Sequence, residues 1–149
     1  MSTALSSIIT VDEYYGAGQW LTHPDVTEEA MADSLVLIDK VNTVLQLAIN
    51  DGVRLEVNPI TGSYVSGKFH GLGGFRPRDA TQGATLWSHK EGKGVDIYDL
   101  NRDLCNWCMT HQNVLAAHGL YMEHPKDTPS WCHLTTRPPK SGKTVFRLR

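Results

Sequence analysis

Cysteine is scarce in this sequence, which has only three among its 149 residues. An odd number, without the regular spacing of small secreted domains, excludes a disulfide scaffold and fits a reducing compartment. Long hydrophobic runs are absent as well, since no segment approaches the ~18 apolar residues that a membrane-spanning helix needs. The first residues also lack a basic start followed by an apolar run. We therefore expect no membrane insertion, no signal peptide and synthesis in the cytoplasm.

The chain has no strong excess of charge of either sign. Its 14 Lys and Arg residues and 16 Asp and Glu residues give a net charge of −2, which argues against a nucleic-acid binder. Hydrophobic residues make up 40% and charged residues 20%, values typical of a folded domain. We expect residues 1–149 to form one monomeric domain with an N-terminal extension at 1–24. The basic tail at 138–149 is interpreted as a solvated C-terminus in preference to a patch for an anionic surface.

Periodic patterns indicate two helices and three strands. Asp25 or Thr27 can cap the first helix, which ends at the sequence NDG. Its apolar stripe consists of Met31, Leu35, Ile38, Leu45 and Ile49. The second helix covers residues 100–118, with Gly119 as its C-cap. The strands have the sequences VRLEV, GVDIYDL and WCHLTT. This order predicts an α+β fold, with a small antiparallel sheet and flanking helices.

The stretch SHKEGKGVDIYD holds one histidine, two glycines and two aspartates. Gly92 and Gly94 permit tight turns, so the chain can fold back and bring His89 towards Asp96. His133, in the middle of the third predicted strand, is a candidate third ligand. Two imidazoles, one carboxylate and an open position are the ligand set of a catalytic zinc ion, whose bonds measure ~2.0–2.2 Å. Lone histidines are more often structural, and spacing alone leaves that alternative open.

Four sequence elements, in order, resemble a known family. HKEGKGVD matches the pattern H-x-x-G-x-[AG]-x-D, and WCHL matches a W-x-H element near the end of the same pattern. GGFRP, within a glycine-rich irregular stretch, is similar to S-G-[YF]-R-[SP], and GLYMEHPKDTPSWCHLTTRPP resembles the end of phage-type members. The family comprises zinc D-Ala-D-Ala carboxypeptidases and L-alanyl-D-glutamate endopeptidases of peptidoglycan, which share their fold with the hedgehog signalling domain. The similarity extends over about residues 26–146.

The resemblance implies one zinc ion bound by His89, Asp96 and His133. It implies that Arg76 contacts a carboxylate or the scissile carbonyl oxygen of the substrate, as a guanidinium fork can. The activity would be hydrolysis of peptidoglycan stem peptides, by a carboxypeptidase or an endolysin encoded by a phage or prophage. Such an enzyme would reach the cell wall only if a separate membrane pore released it.

The resemblance is incomplete around the substrate and the general base. Ser88 lies next to the first ligand, where the family has serine two places before it, and we expect Ser88 and Trp131 to line the substrate site. The acid that many members place three residues before the last histidine is replaced by Ser130. Asp127 is the preferred general base because it is nearer in sequence, Glu123 is close behind, and Glu91 is a distant third. If none of these acids reaches the site, the chain is a non-catalytic zinc-containing binding module.

The cysteines suggest a competing metal site. Cys105 and Cys108 form a C-x-x-C pair, and Cys132 with His133 would complete a four-ligand structural zinc site. Because the pair falls within a predicted helix, we prefer to interpret these cysteines as small core residues.

Overall fold

The computed structural model describes residues 8–55, 73–78 and 87–147, which form an α+β fold as predicted. The elements in chain order are α1 (Val11–Tyr14), α2 (Glu28–Asn50), α3 (Trp87–Lys90), β1 (Gly94–Tyr98), α4 (Asp103–Thr110), α5 (Gln112–Ala117), β2 (Tyr121–Glu123), a 3₁₀ turn (Pro125–Asp127), β3 (Trp131–Thr135) and β4 (Val145–Phe146). Among the described residues, no helix combines the length and the apolar character needed to cross a membrane.

The four strands form one sheet in the order β1-β3-β2-β4. β3 is antiparallel to both β1 and β2, whereas β4 is parallel to β2. The sheet is therefore mixed, and the prediction of an antiparallel sheet was wrong for its last strand pair. The reason is the connection after β3, which carries the chain past β2 so that β4 joins the far edge in the direction of β2.

Helix α2 is the longest element and begins where the sequence predicts. The Oγ1 of Thr27 accepts a hydrogen bond from the Ala30 N–H at 3.0 Å and caps the helix. The predicted apolar stripe was partly wrong, because Leu35 is 47% exposed while Leu37 is fully buried. Two residues are separated by ~200° around a helix, so these side chains lie on opposite faces. The buried face consists of Ala30, Ser34, Leu37, Ile38, Val41, Val44, Leu45 and Ala48.

The predicted second helix is divided into α4 and α5 at His111. The Nδ1 of His111 lies 2.7 Å from the carbonyl oxygen of Trp107, the acceptor that a continuous helix would use for the His111 N–H. That N–H instead contacts the Cys108 carbonyl, and the helix tightens and breaks there. Gly119 follows α5 with φ +68°, in agreement with its predicted role after the helix end.

Two of the three predicted strands are confirmed, GVDIYDL as β1 and WCHLTT as β3. The third, VRLEV, was wrong for Val53–Leu55, which are not in a strand, and its last two residues lie outside the described residues. Most of the glycine-rich stretch and the sequence TQGA also lie outside them.

The core lies between the buried face of α2, α4 and one face of the sheet. Tyr14 and Tyr15 of the predicted N-terminal extension are fully buried in this same core, with Phe75 packed against Tyr15. Cys105, Cys108 and Cys132 are also part of the core, as unpaired cysteines. The opposite face of the sheet carries the candidate site.

Candidate metal centre

Three predicted ligands come together in the structure. His89 lies on α3, Asp96 on β1 and His133 on β3, and one potential ligand atom of each lies within 4.8 Å of the other two. Asp96 and His133 are directly opposite each other in the β1–β3 register, so their side chains project from the same face. Gly92, with φ +75°, makes the turn that returns the chain from α3 to β1. All three side chains are buried.

The distances within this group suit a small divalent cation. The Nε2 of His89 is 3.3 Å from Asp96 Oδ1, and the Nδ1 of His133 is 2.7 Å from the same oxygen. Ligand atoms around a tetrahedral ion with bonds of ~2.0–2.2 Å stand roughly 3.3–3.6 Å apart. The first separation already fits, and the second would have to widen by ~0.6 Å. The His89 Nε2 is buried without a hydrogen-bond partner, which leaves its lone pair available to a cation.

The orientation of His89 is set by a backbone carbonyl. Its Nδ1 lies 2.8 Å from the oxygen of Gly74. Because a carbonyl oxygen only accepts, Nδ1 must carry the hydrogen, and Nε2 of the neutral ring is left with a free lone pair. Metal-binding histidines are commonly held in this way by their second nitrogen. Gly74 has no room for a side chain, since an added Cβ would overlap the main chain of Tyr14.

The segment 73–76, which we call the GGFR strap, contacts two of the three ligand residues through its backbone. The Gly73 carbonyl accepts from the Asp96 N–H at 2.7 Å, and the Arg76 N–H donates to the His89 carbonyl at 3.3 Å. Phe75 N–H donates to the Tyr14 carbonyl at 2.8 Å and attaches the strap to the core. The motif GGFRP therefore has a structural role that its sequence did not reveal.

The guanidinium of Arg76 lies within the same group. Its Nη2 donates to Asp96 Oδ2 at 3.0 Å, and both side chains are almost fully buried. Asp96 thus directs one oxygen to Arg76 and the other to the two imidazoles. Arg76 was predicted to contact the substrate, and in the structure its guanidinium contacts the metal-ligand candidate Asp96.

Burial and the neighbouring groups favour a neutral His89 and an ionised Asp96. Burial lowers the pKa of His89 and so favours the neutral ring, an effect that Asp96 partly opposes. Burial alone would raise the pKa of Asp96, but the adjacent His89 and the hydrogen bond from His133 outweigh it and lower the pKa far below its usual range. A neutral imidazole and a carboxylate are the forms that coordinate a cation.

Of the three candidate general bases, Glu123 lies nearest to the ligands in the sheet. The β2–β3 register pairs Tyr121 with Thr135 and Met122 with Leu134. Extending it by one residue places Glu123 opposite His133, with its side chain on the ligand face, where it is buried. Asp96, His133 and Glu123 therefore form a row across three neighbouring strands.

The other two acids are held by arginines. Asp127 accepts two hydrogen bonds from the guanidinium of Arg147, at 2.7 and 3.0 Å. Glu91 accepts from Arg137 at 3.3 Å on the surface. Asp127 was the preferred base in the sequence analysis, and in the structure its carboxylate is engaged by this bidentate contact.

Ser88 and Trp131, the predicted substrate contacts, lie close to the ligands. A Cβ at Gly94 would meet both the Ser88 side chain and the Cε1 of His133, which places the serine beside that ring. Trp131 is half-buried, two residues before His133 on the same face of β3 and opposite Tyr98. Its indole Nε1 is buried without a hydrogen-bond partner.

Sequence reasoning missed two aromatic residues of this face, Tyr98 opposite Trp131 and Phe146 on β4. Phe146 pairs with Glu123 in the sheet, and its ring meets that of His133 edge-on with 6.3 Å between centroids. No signal in the sequence could identify it, because β4 has only two residues and depends on pairing with β2 for its position.

The cysteine site does not form among the described residues. The only group there with metal-binding geometry is His89, Asp96 and His133. Cys132 and His133 are consecutive in β3 and project from opposite faces, so they cannot share one ion with Cys105 and Cys108.

Comparisons of the chain with protein-family models, with curated protein sequences and with solved structures gave no match. The function of the site is therefore inferred from its geometry and chemistry, together with the resemblance of the four sequence elements.

Proposed function

We propose that this protein is a zinc-dependent peptidase that hydrolyses peptidoglycan stem peptides, of the D-Ala-D-Ala carboxypeptidase or L-Ala-D-Glu endopeptidase type, and that a phage or prophage encodes it. The observation that carries the proposal is the buried group of His89, Asp96 and His133, with the unpartnered Nε2 of His89 directed at it. Two imidazoles and one carboxylate leave a fourth coordination position open, which is characteristic of catalytic and not of structural zinc.

The three residues would hold the ion through His89 Nε2, Asp96 Oδ1 and His133 Nδ1, the atoms that converge in the structure. Bound zinc supplies a Lewis acid for the scissile carbonyl and lowers the pKa of a coordinated water to ~7. The protein supplies the buried surroundings, which strengthen electrostatic interactions by excluding bulk water.

We propose Glu123 as the general base, ahead of Asp127. Its burial and its register opposite His133, on the face of the sheet that carries the candidate ligands, support this role. The Glu123 carboxylate would accept a proton from the attacking water and transfer it to the nitrogen of the leaving amine.

Aromatic side chains would contact the peptide along one side and at one end of the ligand row. Trp131 and Tyr98 occupy one side of that row, and Phe146 occupies its end beside Glu123. All three are partly exposed, which leaves their surfaces accessible to a substrate. Ser88 beside His133 adds a hydroxyl for a peptide carbonyl or amide.

The test first measures the zinc content of the protein and then its hydrolysis of muropeptides. Purified wild type should contain or take up one zinc ion per chain, and His89→Ala should lose it, while His23→Ala, a matched loss of an imidazole outside the group, should retain it. Zinc-loaded wild type is then incubated with muropeptides. Release of D-alanine identifies a carboxypeptidase, and cleavage between L-alanine and D-glutamate identifies an endopeptidase. A zinc-loaded protein that leaves both bonds intact would refute the peptidase proposal.

A second candidate function is a non-catalytic zinc-containing binding module. It is favoured by Ser130, which occupies the position where the resembling family usually has an acid and whose carbonyl accepts the Asp99 N–H in a structural role. This alternative predicts stoichiometric zinc, saturable binding of muropeptides and no hydrolysis. Wild-type hydrolysis that disappears in Glu123→Gln with zinc retained would exclude it.

A further inference from the structure

We infer that Arg76 is a positioning residue that orients the candidate metal ligand Asp96. The inference rests on the metal site of the proposed function and assigns to Arg76 a role that the resemblance did not imply. Its starting point is the contact of 3.0 Å between Arg76 Nη2 and Asp96 Oδ2.

Burial makes Arg76 a poor substrate contact. Its residue exposure is 7%, and its Nη2 already faces a carboxylate of which only 4% is exposed. A substrate group that took the Nη2 hydrogen bond would have to displace Asp96 as its acceptor. Such an exchange would leave Asp96 buried without its counter-ion, which is costly in the protein interior.

The contact divides the two oxygens of Asp96 between two tasks. Oδ2 accepts from Arg76, while Oδ1 lies 3.3 Å from His89 Nε2 and 2.7 Å from His133 Nδ1. Only Oδ1 is therefore available to a cation in the group, and Asp96 is fixed as a monodentate ligand. Without the guanidinium, the carboxylate is free to rotate and to offer both oxygens.

The GGFR strap gives this role a second support. Arg76 N–H donates to the His89 carbonyl, and two residues earlier the Gly74 carbonyl holds the His89 imidazole. One short segment thus orients two ligands from two different elements, the imidazole through its backbone and the carboxylate through its side chain. Groups that orient ligands in this way typically change metal affinity by ~10–100-fold when removed.

Charge and orientation predict opposite changes in metal affinity when Arg76 is replaced, so a measurement of that affinity decides between them. A guanidinium close to a divalent cation repels it, so electrostatics alone would let a neutral variant bind the metal more tightly. Orientation of Asp96 predicts that the same variant binds the metal more weakly. Because Asp96 shares its carboxylate between Arg76 and the two imidazoles, we expect positioning to be the stronger effect.

The experiment compares Arg76→Gln and Arg76→Lys with wild type and with Arg78→Gln. Arg78 is an exposed arginine two residues along the chain and serves as the matched control. The zinc dissociation constant is measured by competition with a chromophoric chelator. The visible spectrum of the Co²⁺-substituted protein reports the coordination number, because four-coordinate Co²⁺ absorbs more strongly than five- or six-coordinate Co²⁺. Circular dichroism and thermal unfolding of the metal-free proteins verify that each variant folds.

We expect Arg76→Gln to bind zinc ~10–100-fold more weakly than wild type and to show weaker Co²⁺ absorption, as a second oxygen of Asp96 coordinates. Arg76→Lys should lie between the two, and it provides the test if Arg76→Gln does not fold. Arg78→Gln should match wild type. With a peptide substrate, Arg76→Lys should lower kcat and leave KM unchanged.

Zinc affinity equal to or tighter than wild type in the Arg76 variants, with an unchanged Co²⁺ spectrum, would overturn the positioning role. A rise in KM with an unchanged kcat would indicate that Arg76 contacts the substrate. If wild type binds no metal, both this inference and the proposed function fail. If it binds metal but hydrolyses nothing, the affinity and the spectrum still decide the role of Arg76.

Discussion

Replacing Gly74 by alanine should weaken metal binding, although residue 74 is not itself a ligand. An ideal Cβ at this position would lie 2.8 Å from the Cα and the carbonyl carbon of Tyr14, well inside ordinary van der Waals contact. The atoms it meets belong to the backbone of a fully buried residue and cannot rotate away. The GGFR strap must therefore move, and the Gly74 carbonyl that holds His89 moves with it.

The magnitude follows from the hydrogen bonds that the displacement disturbs. Two hydrogen bonds of the strap would be stretched when the methyl group pushes it away from Tyr14. They are the bond of 2.8 Å between Gly74 and His89 and the bond of 2.8 Å between Phe75 and Tyr14. At about 1 kcal/mol each, with a further contribution from disturbed packing, the free energy of unfolding should fall by about 2–4 kcal/mol. Loss of the carbonyl that orients His89 should weaken zinc binding by ~10–100-fold.

The assay is urea unfolding of the metal-free protein beside chelator competition for zinc. Gly142→Ala is the control, because Gly142 has φ +71° and nothing within 4 Å of an added Cβ. It should lose about 1 kcal/mol from backbone strain and keep the zinc affinity of wild type. A Gly74→Ala protein with wild-type zinc affinity would refute the argument that this carbonyl orients His89.

Three further outcomes follow from the site. Glu123→Gln should lower peptide hydrolysis by ~10²–10⁴-fold and retain zinc, whereas Asp127→Asn should remain active, and the reverse order of kcat values would restore Asp127 as the base. Because the pKa of His89 is lowered from 6.5 in the folded protein, the unfolded chain binds a proton first as the pH falls, and the metal-free protein should lose stability below about pH 6.5. The lowered pKa of Asp96 should cause a second loss of stability below about pH 4. Urea titrations across this pH range measure both effects, and a flat profile would contradict both shifts. Cys105→Ser should keep the full zinc content measured by atomic absorption, and release of zinc would revive a cysteine site.

The sequence predicts the longer elements of this fold and fails on the short ones. α2, β1 and β3 have enough residues for a repeating pattern, and each lies within its predicted stretch. β2 and β4 have three and two residues, too few for any period, and exist because neighbouring strands pair with them. The break at His111 depends on one side chain capturing a carbonyl, which helix propensity does not describe.

The candidate site shows the same division between local and distant information. His89 and Asp96 are close in sequence, and their spacing with two glycines predicts a shared site, for which the mid-strand position of His133 makes it the candidate third ligand. Nearness in sequence does not reveal which acid faces the candidate ligands, because β2 and β3 run antiparallel and return Glu123, ten residues before His133, to a position opposite it. The contact between Arg76 and Asp96 could not be predicted either, because the two residues are 20 positions apart and meet only in the folded chain.

The three candidate ligands differ in what holds them, and this explains why the GGFR strap accompanies the site. Asp96 and His133 are paired across β1 and β3, so the sheet fixes their separation whether or not a metal is bound. His89 lies outside the sheet, on a helix of four residues that has little stability of its own. Its imidazole and its main-chain carbonyl are each held by the strap, at Gly74 and Arg76. The strap therefore supplies for His89 the constraint that strand pairing supplies for the other two ligands.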